Sequence, residues 1–492
     1  MAEPRGSSFL AVDFGAESGR AVLARLEGGR LTASELHRFP NVPLQIGASW
    51  RWDVDALWRN VRHALEAAPG DLASVGIDAW GCDYALVGGD GALVEPPYCY
   101  RDPRTDGVMA RVFARVPADR IYEVTGIQHL PFNTLYQLYA ASGQTPEVLA
   151  RADRLLTVPD YFNFRLTGRR ACEYTSATTT QCVEASTRQW ARSLLDEVGV
   201  PSRLFGEIVQ PGIRFGTIAA PDLVSRHGLP VVAPACHDTG SAVASIATGR
   251  GTAFLSSGTW SLVGAELPAP VMTAEAREWN FTNEGGVGGT TRLLKNVAGL
   301  WLLQSCRRSW AAAGKSSSYG DLIRAAADEA LAFGAILDPD DEAFTHPEDM
   351  VRAIAAYCRR THQREPGSPA AYVRTILESL ALKYRLVIDR LEILSGAPIT
   401  TIRVIGGGAK NRLLNQLTAD ATGRTVIAGP VEATAIGNVA LQMVATGAVS
   451  TLAEARRMIG ESFPVETFEP SAPERWDAPF RRLRDVMEQT CA

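Results

Sequence analysis

The sequence predicts an α/β protein with two related domains. Residues 7–26 and the stretch that follows contain apolar runs around the Gly28-Gly29 pair, which predict an antiparallel strand meander. A helical pattern and a further strand come next, as is typical of α/β folds. The strand, glycine turn and strand plan recurs at residues 252–267, which indicates an internal duplication. At 492 residues the chain also exceeds the size that one hydrophobic core supports.

The first half continues with a predicted helix and strand. Residues 53–68 carry apolar side chains at helical spacing, and Asp53 precedes them as a candidate N-cap. The segment 72–80, "LASVGIDAW", predicts a return to strand. Residues 100–230 have an irregular, mostly helical pattern, which we interpret as an insertion over the first sheet.

The second half repeats the theme with longer helices. Residues 370–394 predict a long helix, and residues 401–423 predict a strand that passes through three glycines into a helix. The C-terminal stretch from residue 473 predicts an amphipathic surface helix. We therefore expect two α/β domains, residues 1–245 and residues 246–492, with a hinge near 240–250.

Composition and charge exclude several classes of partner. A net charge of −5 and a pI near 5.9 provide no basic field for nucleic acid or for anionic lipid. The first residues lack the features of a secretory signal, and no stretch has the length of a membrane span, so we expect a cytoplasmic protein. The eight cysteines are scattered without metal-ligand spacing and predict buried free thiols.

The stretch "AVDFGAESGR" predicts a phosphate site at a glycine turn. Bare backbone N–H groups at such turns bind phosphate, and Arg20 adds a delocalised positive charge. Asp13 ends the preceding strand and is suited to hold hydrated Mg²⁺ beside the phosphates. The alternatives are a turn-capping Asp13 and a surface Arg20. P-loop and dinucleotide fingerprints are absent from the sequence, so a phosphate holder has to be built on a hairpin.

The stretch "PACHDTGSA" at residues 234–242 predicts a catalytic carboxylate. Asp238 follows a buried strand, where it can accept the proton of a hydroxyl that attacks a phosphoryl group. The alternative is that Asp238 caps the following helix and that His237 is a packed core histidine.

Residues 76–86 and 98–107 predict a polyol site. Aromatic rings cover C–H faces of a polyol while polar groups bind its hydroxyls. The alternative is a buried aromatic strand with a surface salt bridge. The residues concerned are Trp80, Gly81, Asp83, Tyr84, Arg101 and Asp102.

Taken together, the motifs resemble those of the FGGY carbohydrate kinases from about residue 10 to residue 442. The matching stretches include "VDFGAESGR", "GIDAWGCDY", "YRDPRTDG", "ACHDTGSAV", "LSSGTWSLVG", "TNEGGVGGTTRLLKN" and "VIGGGAKNRLLNQL". The resemblance implies two duplicated actin-like ATPase (ribonuclease H-like) domains with a deep interdomain cleft that binds MgATP and sugar. It also implies transfer of the γ-phosphoryl group of ATP to the 1-hydroxyl of L-rhamnulose.

The resemblance assigns site residues motif by motif. Asp238 would be the general base, and Asp13 the metal ligand. The sugar would contact Gly81, His237, Asp238, Thr239 and Asn296. ATP would contact Ala16, Glu17, Ser18, Gly19, Arg20, Thr259, Gln304 and Gly407. The first domain would carry most of the sugar site and the second domain most of the nucleotide site.

Two positions depart from the pattern that the resemblance implies. Glu17 stands where a small hydroxyl residue is expected, and its carboxylate would repel ATP oxygens unless it turned away or met the metal. Cys82 replaces an aliphatic residue, which we interpret as a packing change.

Two other functions remain open at the level of sequence. A kinase for L-fuculose or a pentulose would share the fold and the ATP chemistry. A binding protein regulated by ATP, without phosphoryl transfer, would share the architecture but would need no sugar-side residues. A monomer and a homodimer are both compatible with the sequence.

Overall fold

The chain forms two compact units in the computed structural model, which describes residues 7–315, 317–328, 330, 332–345 and 347–491. The first unit comprises Met1–Ala247, Glu266–Leu293 and Ala433–Phe463. The second comprises Thr248–Ala265, Leu294–Glu432 and Pro464–Ala492. Each unit thus combines segments that are distant in sequence. The assignment of the sugar and nucleotide sites to residues 1–245 and 246–492 stays a prediction.

The strands are named in chain order. They are β1 (Ser7–Phe14), β2 (Ser18–Glu27), β3 (Arg30–Pro40), β4 (Leu44–Ile46), β5 (Ser49–Arg51), β6 (Leu72–Ala79), β7 (Tyr84–Val87), β8 (Arg154–Thr157), β9 (Ala171–Glu173), β10 (Val183–Glu184), β11 (Gln189–Trp190), β12 (Glu207–Val209), β13 (Ile213–Thr217), β14 (Pro230–Ala233), β15 (Thr252–Ser257), β16 (Trp260–Leu267), β17 (Thr282–Gly285), β18 (Thr291–Ala298), β19 (Thr401–Ile405), β20 (Thr425–Ala428) and β21 (Glu466–Phe468).

The α-helices follow the same convention. They are α1 (Val54–Ala67), α2 (Val108–Arg115), α3 (Ala118–Thr125), α4 (Thr134–Gln144), α5 (Pro146–Arg151), α6 (Val158–Thr167), α7 (Tyr174–Thr179), α8 (Arg192–Val198), α9 (Asp238–Ala244), α10 (Ala274–Glu278), α11 (Trp301–Ala312), α12 (Tyr319–Ala326), α13 (Met350–Arg360), α14 (Pro369–Ser395), α15 (Arg412–Thr422), α16 (Ala433–Thr446), α17 (Leu452–Ser462) and α18 (Asp477–Cys491).

The predicted opening elements are present. Strands β1, β2 and β3 form the antiparallel meander, and Gly28 and Gly29 make the turn between β2 and β3 with φ angles of 56° and 76°. Glycine is required there because other L-residues pay a steric cost at positive φ. The Asp53 side chain accepts a hydrogen bond from Ala56 N at 2.8 Å and so caps α1, as the sequence predicts. The long helix predicted over 370–394 is α14.

The first sheet has the strand order β13–β14–β6–β1–β2–β3, with β14, β6 and β1 parallel. Side chains alternate across β1. Leu10 and Val12 face a core built with α1 and α6, whereas Phe9 and Ala11 pack with α16. Because Asp13 follows in the same alternation, it lies on the face that α16 covers.

The second sheet repeats this plan. Strands β15 and β16 form an antiparallel hairpin, and β15, β19 and β20 run parallel to one another. The hairpin β1–β2 with the parallel strands β6 and β14 has the same pairing pattern in the first unit. The predicted internal duplication is therefore visible in the strand pairing.

Helices α9 and α16 of the first unit pack at very short range. A Cβ atom added at Gly437 would lie deep inside the van der Waals radius of the backbone carbonyl of Ser241. Glycine at this position lets α16 approach α9 and the sheet closely enough for its polar side chains to reach β6. The close approach thus lets Asn438 of α16 reach Asp78 near the end of β6.

The described helices contain none that is long and apolar enough to span a membrane. Of the predicted free thiols, Cys82 is half-buried, and Cys99, Cys172, Cys182, Cys236, Cys306 and Cys358 are buried. These cysteines form no disulfide among the residues described.

Gly437→Ala should destabilise the protein although alanine favours helices. The added methyl group would meet the rigid backbone of α9, and we expect a loss of about 1–3 kcal/mol in the free energy of unfolding. The measurement is urea denaturation. Gly460→Ala in α17 is the matched control, because nothing lies within 4 Å of its added Cβ. The control should gain about 0.5–1 kcal/mol from its better helix propensity. Equal stability of the two variants would contradict the close packing of α9 and α16.

Candidate functional site

The turn between β1 and β2 is closed by backbone hydrogen bonds and by Asn41. Gly15 N donates to Ser18 O at 3.0 Å, and Asn41 Nδ2 donates to Gly15 O at 2.9 Å. A Cβ at Gly15 would lie 2.7 Å from Ser18 O, so a side chain there would disrupt the turn. The side chains of Glu17 and Ser18 are exposed. Asn41, which directly follows β3, was not singled out as a site residue from the sequence.

Asp13 and Arg20 are partners in the β1–β2 register and form a salt bridge. Arg20 Nε and Nη2 lie 2.8 Å and 2.7 Å from Asp13 Oδ2, and Asp13 is buried. The fixed charge of the guanidinium group therefore compensates a carboxylate that has lost most of its water. Asp13 is therefore more than a turn cap, and Arg20 is not an isolated surface arginine.

Asp78 is a buried carboxylate that sequence reasoning missed. It is the register partner of Asp13 on the neighbouring parallel strand β6, and it is fully buried. Asn438 Nδ2 of α16 donates to Asp78 Oδ2 at 2.6 Å, while Oδ1 accepts no hydrogen bond from the described residues. Burial and the charges of Asp13 and Asp238 raise the pKa of Asp78 well above its ordinary value. The position of Asp78 inside the apolar run "SVGIDAW" could have indicated a buried carboxyl group from the sequence.

Asp238 begins α9 directly after the segment that pairs with β6. Its Oδ1 accepts hydrogen bonds from Thr239 N at 2.5 Å and from Thr239 Oγ1 at 3.1 Å. Burial raises the pKa of this carboxyl group, His237 lowers it, and the nearby charge of Asp13 raises it again. The N-cap of α9 is His237, so Asp238 does not occupy the capping position of the alternative interpretation.

Glu173 anchors the backbone that leads to Asp238. Its carboxylate accepts hydrogen bonds from Cys236 N at 2.9 Å and from the N and Oγ1 atoms of Thr175 at 2.8 Å and 2.6 Å. Thr175 Oγ1 in turn accepts a hydrogen bond from His237 N at 3.2 Å. Burial raises the pKa of Glu173 to about 6. These contacts fix the position of residues 236–238 relative to α7.

His237 is packed against a second charged pair. Its Nε2 lies 3.4 Å from Asp238 Oδ1, and its Nδ1 lies 3.2 Å from Glu284 Oε2 and 3.1 Å from Arg292 Nη2. Burial alone would raise the pKa of Glu284, but His237 and Arg292 hold it below its ordinary value. Glu284 and Arg292 were not singled out from the sequence, because nothing local shows that β17 and β18 bring them to His237.

Asp83 holds the aromatic residues near Gly81 in place. It accepts hydrogen bonds from Trp52 Nε1 at 2.6 Å, Trp80 Nε1 at 2.9 Å and Gln137 Nε2 at 3.0 Å. Burial raises the pKa of this carboxyl group. Its acceptor capacity is thus committed to protein donors, which supports the structural interpretation of Asp83.

Gly81 and Asp102 also have clear local roles. A Cβ at Gly81 would lie 2.9 Å from Thr179 Oγ1, so glycine is required for the close approach of α7. Asp102 accepts hydrogen bonds from Trp50 N at 2.6 Å and Arg104 N at 2.9 Å. Asp102 therefore organises a turn.

In the second unit, the predicted nucleotide residues lie around the end of β15. The carbonyl of Thr259 accepts hydrogen bonds from Gly299 N at 3.2 Å and Trp301 N at 3.1 Å, which ties the β15–β16 turn to the start of α11. Gln304 lies one turn into α11, and its buried Oε1 accepts no hydrogen bond from the described residues.

The three glycines after β19 pack on Ser257. Gly406 has a φ angle of 83°, and a Cβ at Gly408 would collide with the Ser257 side chain. Gly407 instead faces open space. Ser257 Oγ is buried without a hydrogen-bond partner among the described residues, and it was not predicted from the sequence. Bare backbone and unpaired polar atoms at one end of a sheet suit a polar ligand.

Asn296 lies on β18 in the second unit beside Lys295. Burial lowers the pKa of Lys295 to about 8, while Asp340 raises it. Lys383 Nζ lies 2.6 Å from Asp338 Oδ1 and 3.0 Å from Asp340 Oδ2. These ion pairs balance the charge of the buried Lys383.

The structure brings together part of the predicted site within each unit. Asp13, Arg20, His237, Asp238 and Thr239 share the first unit and interact as described. The nucleotide residues Thr259, Gln304 and Gly407, together with Asn296, belong to the second unit. Among the described residues, no group of three or more His, Cys, Asp or Glu side chains could hold a metal ion. Mg²⁺ needs only one or two protein carboxylates when phosphates supply further ligands.

Comparisons with known proteins agree over nearly the whole chain. Residues 8–245 match the N-terminal domain of the FGGY family of carbohydrate kinases, and residues 253–446 match its C-terminal domain. A rhamnulokinase from Bacteroides thetaiotaomicron is 46% identical over 486 residues, covering 98% of this chain and 99% of that protein. A rhamnulokinase from Pectobacterium carotovorum is 44% identical over 493 residues, with 99% and 97% covered.

Solved structures show the same fold at low sequence identity. A gluconate kinase from Lactobacillus acidophilus superimposes with a TM-score of 0.82 at 16% identity, covering 99% of each chain. A glycerol kinase from Plasmodium falciparum with ADP has a TM-score of 0.79 at 14% identity, covering 99% of this chain and 98% of that one.

Asn438→Ala should destabilise the protein, because it removes the donor to Asp78 Oδ2 and the acceptor of Gln442 Nε2. We expect a loss of about 1–3 kcal/mol in the free energy of unfolding at neutral pH, measured by urea denaturation. Asn438→Asp keeps the shape but replaces the donor by a carboxylate, and it should be less stable still. An Asn438→Asp variant as stable as the natural protein would contradict the role of this amide.

Proposed function

The chain belongs to the FGGY family of carbohydrate kinases, and on this basis we propose that it transfers the γ-phosphoryl group of ATP to the 1-hydroxyl of L-rhamnulose. The product would be L-rhamnulose 1-phosphate, an intermediate of L-rhamnose catabolism. The sugar-kinase activity and the actin-like fold predicted from the sequence are confirmed by the family match and the solved structures. The choice of L-rhamnulose is supported by relatives of 46% and 44% identity.

Asp238 is the proposed general base. The observation that carries this role is its position at the start of α9, where Thr239 and His237 approach one carboxylate oxygen. A base that takes the proton of an alcohol during phosphoryl transfer works best when its pKa lies nearer the working pH. Burial shifts the pKa of Asp238 in that direction. Asp238 would accept the proton of the 1-hydroxyl as the oxygen attacks the γ-phosphorus.

Asp13 is the proposed metal ligand. As a kinase that uses ATP, the protein works with a divalent cation, and we propose Mg²⁺. Hard carboxylate oxygens suit this ion, and the buried, unpaired Oδ1 of Asp78 lies on the neighbouring strand. When bound, the ion would neutralise charge on the phosphate oxygens of ATP. Arg20 would orient the Asp13 carboxylate through the salt bridge between the two side chains.

The two glycine turns are the proposed phosphate holders. Ala16, Glu17, Ser18, Gly19 and Arg20 offer backbone N–H groups in the first unit. The exposed Glu17 side chain can turn to solvent, so its negative charge need not face the phosphates. Thr259, Gln304 and Gly407 would contact the nucleotide in the second unit, with the unpaired Gln304 Oε1 free to accept a ligand hydrogen bond.

Gly81, His237, Asp238, Thr239 and Asn296 are the proposed sugar contacts. Asp83 supports this role indirectly, since it fixes the Trp80 ring next to Gly81. Location in the cytoplasm, and the choice between monomer and homodimer, stay predictions from the sequence.

A panel of ketoses tests the proposed substrate. ADP formation should be stimulated by L-rhamnulose with a kcat/KM at least about tenfold above those for L-fuculose and a pentulose. Chelation of divalent cations should abolish the activity, and Mg²⁺ should restore it. Preference for another ketose would overturn the substrate but not the kinase activity. ADP formation that no sugar stimulates would favour a binding protein regulated by ATP.

Asp238→Asn should lower kcat by about 10²–10⁴-fold while sugar binding is largely kept, because the amide cannot accept the hydroxyl proton. Steady-state kinetics with L-rhamnulose provide the measurement. Asp222→Asn is the control, since the Asp222 side chain is exposed to a similar extent, 37% against 31%, and its carboxylate accepts a hydrogen bond from Trp58 and pairs with Arg62. Near-normal turnover of Asp238→Asn would remove this residue from the role of base.

A further inference from the structure

Arg292 and Glu284 form a buried ion pair against the imidazole of His237. The Arg292 side chain is 1% exposed and the Glu284 side chain 6% exposed, with 3.2 Å between Nη2 and Oε2. Arg292 Nε also donates to Gly285 O at 2.8 Å, which fixes the plane of the guanidinium group. The proposed reaction assigns no role to either residue.

The contact between Arg292 and His237 determines which imidazole nitrogen carries the proton. A guanidinium group has only donors, and its Nη2 lies 3.1 Å from His237 Nδ1 in hydrogen-bond geometry. Nδ1 must therefore offer a lone pair. A neutral imidazole with an unprotonated Nδ1 carries its proton on Nε2.

The opposite tautomer fits this arrangement less well. If Nδ1 carried the proton and donated it to Glu284, Nδ1 and Arg292 Nη2 would be two donors facing each other at 3.1 Å. Glu284 Oε2 also accepts no hydrogen bond of acceptable geometry from the described residues, although Nδ1 is only 3.2 Å away. A doubly protonated ring would create the same contact between two donors, because its Nδ1 would also carry a proton.

The Nε2–H group then points toward the proposed base. Nε2 is 3.4 Å from Asp238 Oδ1, the same oxygen that accepts both hydrogen bonds from Thr239. Within the described part of the chain, no hydrogen bond reaches Asp238 Oδ2. One oxygen is thus surrounded by donors, and the other remains available for the hydroxyl proton.

We propose that Arg292 is a positioning residue that holds His237 in the Nε2–H tautomer, so that Asp238 presents Oδ2 to the acceptor hydroxyl. Glu284 balances the buried charge of Arg292. The proposal rests on the role of Asp238 as base. It assigns a function in catalysis to a buried arginine that need not touch the sugar or ATP.

The tautomer can be read directly by NMR of the full-length protein labelled with ¹⁵N-histidine. The chain has seven histidines, and the signal lost in His237→Asn identifies residue 237. We expect a protonated Nε2 and an unprotonated Nδ1 in the natural protein without substrate. A protonated Nδ1 would overturn the proposal whatever the kinase activity proves to be.

Variants of the ion pair test whether Arg292 sets the tautomer. Arg292→Met removes the donor, so a proton should appear on Nδ1, where Glu284 can accept it, and kcat should fall at least about tenfold with little change in the KM for ATP. Arg292→Lys restores a charged donor and should recover part of the lost kcat. Glu284→Gln should keep the Nε2–H signal, because Arg292 still donates to Nδ1.

Arg456→Met is the matched control. Arg456 is also a largely buried arginine of the first unit, and its Nη2 lies 3.1 Å from Glu266 Oε2, but its described contacts include none with His237. The ¹⁵N signals of His237 should be the same in Arg456→Met as in the natural protein. Unchanged His237 signals in a folded Arg292→Met would overturn the proposal. Near-normal turnover of Asp238→Asn would instead overturn the assigned base, so the two failures are distinguishable.

Discussion

Two carboxyl groups, those of Asp13 and Asp78, lie side by side on adjacent parallel strands inside the first unit. The surrounding structure has to compensate for the burial of both groups. Buried carboxyl groups at neighbouring register positions have lost most of their hydration, and the charge of Asp13 raises the pKa of Asp78. Arg20 compensates one of them from the next strand, and Asn438 donates to the other from α16. The close contact at Gly437 brings α16, and with it Asn438, to Asp78. Without Arg20 and Asn438, apolar side chains would be more stable than carboxyl groups at these two buried positions.

The three carboxylates of this region differ in their surroundings, and the difference separates their roles in the proposed reaction. Asp13 has a fixed cation, Asp78 has an amide, and Asp238 has hydroxyl, backbone and imidazole donors. The carboxylate that is paired with a guanidinium group suits a metal, whereas Asp238, whose pKa is raised by burial, suits proton transfer in the proposed reaction. Residue type alone would not distinguish them. Their neighbours, supplied by distant parts of the chain, do.

Local sequence patterns predicted much of the fold, whereas contacts between residues distant in sequence could not be predicted from them. The first meander, the Asp53 cap and the long helix α14 follow from turn residues and hydrophobic periodicity, which act over a few residues. Asp78, Glu284 and Arg292 escaped prediction because their importance depends on which strands become neighbours. The bond between Asp78 and Asn438 spans 360 positions in sequence. Likewise, Asp83 resembled a ligand-binding carboxylate until its tryptophan donors were located. The placement of ATP and sugar on the predicted residues stays a prediction.

The position of helix α16 in the sequence affects how the protein folds during its synthesis. The first unit includes Ala433–Phe463, so one face of its sheet is covered by a segment that leaves the ribosome long after β1 and β6. Until then, the faces of Phe9, Ala11 and Val22 lack the apolar cover that α16 provides. A nascent chain in this state exposes apolar surface and lacks the α16 donor to Asp78, which favours aggregation or chaperone binding. Synthesis of the final sixty residues therefore completes the first half of the molecule as well as the second.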